Sequence, residues 1–277
     1  AFIIKLPPEK TKQFKLMSKK IKRLLDVMSS LRDPKKGCPW DLDQTFQSIA
    51  PHTIEEAYEV VDAIDSSDMG ALKDELGDLL FQVVFLSQIA HEKKLFSFYD
   101  VVEEVTKKMV RRHPHVFGSD LTRDKDQQSL AWEKIKAAER QTKALYSGQN
   151  TDKSVLAGVV KSLPANSRAQ KLQKRAASVG FDWPKTETIL EKLFEEIEEV
   201  RAEIKINPCL DRVEDEIGDL FFTCANLARN LGIDAEASLR RANKKFEKRF
   251  RSMEDQADKK GTRLKNLDLD HLETLWK

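Results

Sequence analysis

The sequence predicts an all-α protein made of two helical-bundle units in tandem, and three observations carry that prediction. Charged residues make up 34% of the 277 positions and hydrophobic ones 40%, while Pro and Gly number only 9 and 10. Many charges with few turn-formers is the composition of long, solvated helices. Apolar residues then recur at the 3.6-residue helical period through most of the chain. Finally, one acidic constellation occurs twice, about 140 residues apart, which points to a duplicated unit rather than a many-copy solenoid.

Residues 1–17 open on Ala-Phe-Ile-Ile-Lys-Leu-Pro-Pro, too short an apolar run for a signal peptide, and are read as a leader or expression remnant. From Lys19 to Leu31 the apolar positions Ile21, Leu24, Leu25, Met28 and Leu31 follow a helical period, which Asp33-Pro34-Lys35-Lys36-Gly37-Cys38-Pro39 breaks. Trp40 and Phe46 fall in the following loop, either as packing anchors or as walls for a nucleotide base. Helical pattern resumes near Thr53. Thr53-x-x-Glu56 has capping-box spacing, so Glu56 either satisfies backbone amides or faces the next helix. Further helices are predicted from about Met69 to Glu92, Phe98 to Arg112 and Asp126 to Leu145. The second of these carries Lys108 and Arg112 on one face, and the third carries Trp132. The polar run Tyr146-Ser147-Gly148-Gln149-Asn150-Thr151-Asp152 opens a linker over 146–163, between domains at 18–145 and 164–277.

The second domain replays the first at offsets of 137 to 144 residues. Gly180-Phe181-Asp182-Trp183 echoes Gly37-Cys38-Pro39-Trp40, Lys245 to Arg249 echoes Lys108 to Arg112, and Trp276 echoes Trp132. The centre of the repeat is Glu195-Glu196-Ile197-Glu198-Glu199-Val200 followed by Asp215-Glu216-Ile217-Gly218-Asp219-Leu220. Glu196 and Glu199, like Glu216 and Asp219, are spaced i,i+3 and so share a helix face. Each pair borders an apolar stripe, Leu193/Ile197/Val200 in one helix and Val213/Ile217/Leu220/Cys224 in the other. The run after Asp219 is apolar on nearly all sides and reads as a buried helix. The earlier copy offers Glu56, Glu59, Glu75 and Asp78 at the same spacings.

Four carboxylates at the edge of a core must be protonated, paired with cations or gathered round a metal. A single acidic run is most often a solvated helix face; the duplication shifts the balance towards a site. An all-oxygen set without His or Cys suits Mg²⁺, or Mn²⁺ in its place, rather than zinc. Lys245 and Arg249 lie one turn apart, either as a solvated basic face or as partners for phosphates. Divalent metal with paired cations is what a polyphosphate requires, and the metal supplies a nucleophilic water without His or Ser. No P-loop motif, no ExxH in the acidic pairs and no GxSxG elbow is present.

With net charge +2, from 48 basic and 46 acidic residues, nothing points to nucleic acid or a membrane surface as partner. No stretch approaches the roughly 18 apolar residues of a membrane span. Cys38, Cys209 and Cys224 form no CxxC pair, and a reducing cytoplasm fits.

The duplicated EExxE…ExxD pattern, with Gly before the Asp and an apolar run after it, resembles the MazG family of nucleoside triphosphate pyrophosphohydrolases. So do Gly37-Cys38-Pro39-Trp40-Asp41 and Arg112-His113-Pro114-His115-Val116-Phe117. The resemblance runs from about Ile21 to Trp276. It implies two MazG-like helical domains, and water attack on the α-phosphorus of a nucleoside triphosphate to release a nucleoside monophosphate and pyrophosphate. It implies that Glu196, Glu199, Glu216 and Asp219 are the catalytic metal ligands. Lys192, Glu195, Arg212, Lys245, Arg249 and Trp276 match positions that contact the nucleotide in the family. Glu56, Glu59, Glu75 and Asp78 are the candidates for a second, subordinate metal site. The second half is the expected catalytic half, because the first has His52 and Ala71 where Lys192 and Arg212 stand. A homodimer is expected, and two chains building one site is left open. The alternatives are a one-substrate relative, dUTPase-like or phosphoribosyl-ATP pyrophosphohydrolase-like, and a non-catalytic helical scaffold.

Overall fold

The computed structural model describes residues 8–118, 124–146, 154–183, 185–205 and 209–276. Among the described residues every regular element is a helix, and the chain divides into two compact units, residues 1–136 and 137–277. In the first unit the helices are α1 (Pro8–Leu31), α2 (Pro39–Asp43), α3 (Phe46–Ser66), α4 (Met69–Glu92), α5 (Phe98–Arg112), α6 (Pro114–Phe117) and the start of α7 (Lys125–Tyr146). The division falls inside α7. Residues 1–7 of the expected leader and 147–153 of the expected linker lie outside the described residues. Residues 8–17 belong to α1, and 154–163 are turns without a helix.

Capping side chains explain where the first unit's helices begin. The carboxylate of Asp68 accepts from the amides of Gly70 and Ala71 at the start of α4. Ser97 and Asp100 form a reciprocal capping box at α5. The helix expected from Thr53 starts at Phe46 instead, because Thr45 and Ser48 form the capping box. Thr53 therefore sits inside α3, where its hydroxyl donates to the Ile49 carbonyl, and Glu56 is not a cap. Trp40 and Phe46, expected in a loop, occupy the short helix α2 and the first turn of α3. Helices α3 and α4 pack along each other, and α1 and α5 pack against α4. Met28, Ile49, Val84, Phe85 and Ile89 form the buried core. At its rim the buried Arg32 guanidinium grips Glu92 in a bidentate pair at 2.7 to 3.1 Å and donates to the Asp41 carbonyl.

The second unit comprises α8 (Ala165–Ala177), α9 (Thr186–Lys205), α10 (Leu210–Asn230), α11 (Ala235–Lys259), a 3₁₀ turn (Leu264–Asn266) and α12 (Leu269–Trp276). Here α10 packs on α9 and α8, and α11 packs on α8, α10 and α12. The buried apolar set is small: Ile189, Ala225, Met253 and Ala257. Polar ties supplement it. Gln170 of α8 donates to the Ile233 carbonyl at 2.8 Å and accepts from the Ala235 amide, fastening α8 to the α10–α11 turn. Gln173 donates to the Phe222 carbonyl at 2.8 Å.

The run after Asp219 is not buried on all sides as expected. Thr223, Ala225 and Asn226 face inwards, whereas Phe221 is 64% exposed and Phe222 and Cys224 are also open. The side of α10 that carries Phe221 and Phe222 is therefore exposed rather than packed.

Candidate active site

Helices α9 and α10 carry the acidic positions, and their packing brings one carboxylate oxygen each from Glu196, Glu216 and Asp219 within 4.8 Å of one another. Glu196 is buried, Glu216 half-buried and Asp219 exposed, so the group opens to solvent from a closed inner end. Lys192, one turn before Glu196 on α9, places its ammonium 3.0 Å from Glu196 and 2.9 Å from Glu195. These contacts, that with Glu195 first, hold the Lys192 pKa well above the ordinary lysine value. One ammonium among so many carboxylates leaves an excess of negative charge at the buried end.

Glu199 stands outside this converging group and is exposed. Lost hydration, and then the hydrogen bond and charge of Glu196 and the charge of Glu216, raise its carboxyl above the usual range, against the lowering effect of Lys192. It is electrically part of the cluster without sharing its focus.

The donor set fits a hard divalent cation. All donors are carboxylate oxygens, as Mg²⁺ and Mn²⁺ favour. Oxygens bound to one Mg²⁺ at about 2.1 Å lie no more than about 4.2 Å apart. Oxygens that already lie within 4.8 Å of one another therefore need only small side-chain adjustments to close round an ion.

The other predicted contacts fall into two places. Arg212, in the first turn of α10 and one turn before Glu216, pairs with Glu203 at 3.2 Å. On α11 the exposed Arg249 lays its guanidinium 5.6 Å from the Trp276 ring centre, and Lys245 is exposed one turn earlier. Phe246 meets Trp276 at 5.2 Å and stacks with Phe250 at 5.9 Å. Together they line an apolar hollow of about 410 Å³ between α11 and the C-terminal arm. Sequence reading passed over Phe246 and Phe250; the signal available was their i,i+4 spacing beside Lys245 and Arg249.

The first unit repeats much of this geometry with different partners. Oxygens of Glu56, Glu75 and Asp78 also converge within 4.8 Å, and Glu59, like Glu199, is outside the group and exposed. At the position of Lys192 stands His52, whose ring pairs with Glu55 at 3.4 Å and meets Trp40 edge-on at 6.2 Å. Glu56 instead accepts from the side-chain amide of Gln82 at 3.2 Å. Burial foremost raises the Glu56 pKa, with Glu59 and Asp78 adding to it and Gln82 opposing. Arg112 lies 5.5 Å from the Trp132 ring centre, as Arg249 does from Trp276. Gln82 was not singled out from sequence, although it follows Asp78 by one turn.

The model of the MazG nucleotide pyrophosphohydrolase domain matches twice, at residues 44–117 and 185–253. The chain is 46% identical over 258 residues to the nucleoside triphosphate pyrophosphohydrolase of Escherichia coli K12, covering 92% of this chain and 95% of that protein. It is 42% identical over 254 residues to the nucleoside triphosphate pyrophosphohydrolase/pyrophosphatase MazG of Thermotoga maritima, covering 91% and 92%. It is also 39% identical to Bacillus subtilis YabN, over 98% of this chain but 53% of that longer protein. Two family domains in tandem, each presenting a converging acidic trio on a helix pair, place this chain in the MazG family of nucleotide pyrophosphohydrolases.

Proposed function

We propose that the second unit hydrolyses nucleoside triphosphates between the α- and β-phosphates, releasing a nucleoside monophosphate and pyrophosphate. The observation that carries this reading is the convergence of Glu196, Glu216 and Asp219 beside Lys192 in a chain of this family. Mg²⁺ is the cation proposed for that group, with Mn²⁺ as its substitute. When bound, such an ion offsets phosphate charge and makes water nucleophilic at neutral pH. Lys192 keeps the buried Glu196 paired in the free protein and offers its ammonium to a phosphate. Lys245, Arg249 and Arg212 supply the remaining positive charge to the polyphosphate, and Glu195 holds Lys192 in place. Trp276, with Phe246 beside it, offers a flat apolar surface to the base. Stacking on such a surface discriminates little between bases, which supports broad tolerance and a role in clearing nucleotide pools. The names of the Escherichia coli and Thermotoga relatives likewise specify no single base.

The protein is proposed to act as a cytoplasmic homodimer. Gly218, Phe221 and Phe222 lie on one side of α10, where Phe221 and Phe222 are exposed and a Cβ on Gly218 would meet nothing within 4 Å. Gly in mid-helix costs about 1 kcal/mol relative to Ala. An open glycine beside exposed aromatics is explained by close approach of a second copy.

The decisive assay incubates the protein with each NTP and dNTP plus Mg²⁺ and resolves pyrophosphate from orthophosphate. Nucleoside monophosphate and pyrophosphate in equal amounts are expected. Nucleoside diphosphate with orthophosphate refutes the assigned chemistry.

A further inference from the structure

Resting on the reading of both acidic trios as cation sites, we infer that the two units load their cations differently: the first holds a divalent cation without nucleotide, with Gln82 as an added neutral oxygen donor, and the second takes its cation together with the phosphates. In the second unit Lys192 lies 3.0 Å from the buried Glu196, where an arriving cation would meet an ammonium already in place. Binding there must displace or repel that charge, unless phosphate oxygens draw the ammonium away. In the first unit that obstacle is missing, since His52 turns to Glu55 and Trp40.

What stands against the first trio instead is a neutral amide. Gln82 is 7% exposed, follows Asp78 by one helical turn, and reaches Glu56 through its Nε2 at 3.2 Å. Its Oε1 is buried and has no hydrogen-bond partner. A buried amide oxygen left unpaired is unfavourable, and half a turn of the amide brings it to face Glu56 with no bond lost on the oxygen side. A cation on Glu56, Glu75 and Asp78 would reward that turn, because amide oxygens are good ligands for hard cations. The equivalent position in the second unit is Thr223, too short to reach in the same way.

The test is Mn²⁺ binding to the chelator-stripped full chain, read from the electron paramagnetic resonance of free Mn²⁺. Without nucleotide, one ion per chain is expected, lost in Glu75→Gln and retained in Glu216→Gln. Gln82→Leu should weaken it by about tenfold to a hundredfold, the range typical of supporting groups at metal sites. His52→Lys, which imports the second unit's ammonium, should weaken it too, so the inference does not hang on a variant that buries a new apolar group. A non-hydrolysable triphosphate analogue should add a second ion, lost in Glu216→Gln. Nucleotide-free binding that follows Glu216 rather than Glu75 overturns the loading order while leaving the catalytic assignment intact. Failure of any cation to bind even with the analogue overturns the reading of both trios.

Discussion

The two units start from the same acidic pattern and solve different problems with it. In the first, Met28, Ile49, Val84, Phe85 and Ile89 close a continuous core, and Arg32 and Glu92 pin its edge. In the second, Ile189 is the only large aliphatic side chain fully buried among the described residues, and Phe194, Phe221 and Phe246 stand more than half exposed. Lys192 of the second unit pairs with the buried Glu196, while Arg229 ties α10 to Asp182. The difference teaches that the unit proposed to do the chemistry is the less self-sufficient as a fold. It leaves Phe221 and Phe222 of α10 exposed, and it keeps Lys192 at its carboxylates where the other unit has His52.

The sharpest way to break this comparison is to remove one charge from each trio. Glu216→Gln keeps size and helix propensity, and is expected to lower turnover by about a hundredfold or more with the fold intact. Glu75→Gln should change turnover little. Circular dichroism and a melting curve alongside the pyrophosphate assay separate lost chemistry from lost folding. Equal, severe losses would mean that the two units share the work, and a loss confined to Glu75→Gln would transfer the chemistry to the first.

A second break targets the first unit's rim. Burial alone would raise the Glu92 carboxyl, but hydrogen bonds from Arg32 and Gln88 overcome it and hold the pKa below the usual range. A depressed carboxylate adds stability above its unfolded pKa, and that stability is lost as pH falls through the lower folded value. Glu92→Gln is expected to destabilise the first unit by about 1–2 kcal/mol at pH 7, less than a fully buried pair because Glu92 is partly exposed. The deficit should shrink on acidification, as the wild-type protein loses the same contribution. A denaturant midpoint shift that is the same at pH 7 and below pH 4 would contradict the pairing.

Helix ends show how much of this was legible in the sequence. Met69 to Glu92 and Phe98 to Arg112 were readable to the residue because Asp68 and Ser97 are strong caps in front of clear apolar periods. The start of α3 was not, since its capping box closes on Ser48 rather than Glu or Gln, and Pro51 inside the helix reads as a break. α8, rich in Lys, Arg and Gln, went unnoticed, because its role rests on the polar ties of Gln170 and Gln173 rather than on a hydrophobic stripe. At the site, i,i+3 spacing revealed which residues share a helix face. It could not reveal which oxygens converge, because that depends on how α9 and α10 pack: Glu196, Glu216 and Asp219 meet and Glu199 does not. Exposure of Phe221 was also beyond sequence, since an apolar run looks alike whether its own chain or a second copy covers it.

The α10 glycine tests that last point through the sign of its effect. In an isolated unit Gly218→Ala should stabilise by up to about 1 kcal/mol, since the space around it is open and Ala is the better helix former. If a second copy approaches there, the added methyl should weaken the dimer by about 1 kcal/mol or more, as overfilling a packed contact does. Light scattering across a dilution series is expected to show a dimer for the parent chain and earlier dissociation for the variant. A parent mass near 31.8 kDa at low micromolar concentration would dispose of the dimer.

The smallest effect concerns the carboxylate that the structure sets apart. Glu199 has a raised pKa, caused first by lost hydration and then by Glu196 and Glu216, so its ionised form is disfavoured in the folded state. Such a group favours folding below the unfolded value near 4.5, and this contribution is lost as pH rises through the folded pKa. At pH 7 without metal, the ionised Glu199 is therefore a burden that Gln would lift. Glu199→Gln should raise the metal-free melting temperature slightly at pH 7, with the gain fading as pH approaches 4.5. Saturating Mg²⁺ together with a non-hydrolysable triphosphate analogue should erase the gain, because the cation then removes the repulsion in the parent chain as well. Turnover should fall less than in Glu216→Gln, since Glu199 tunes the charge around the trio without converging on its focus. A Glu199→Gln protein as inactive as Glu216→Gln, with no metal-free gain, would put Glu199 among the ligands and make the site of four carboxylates rather than three.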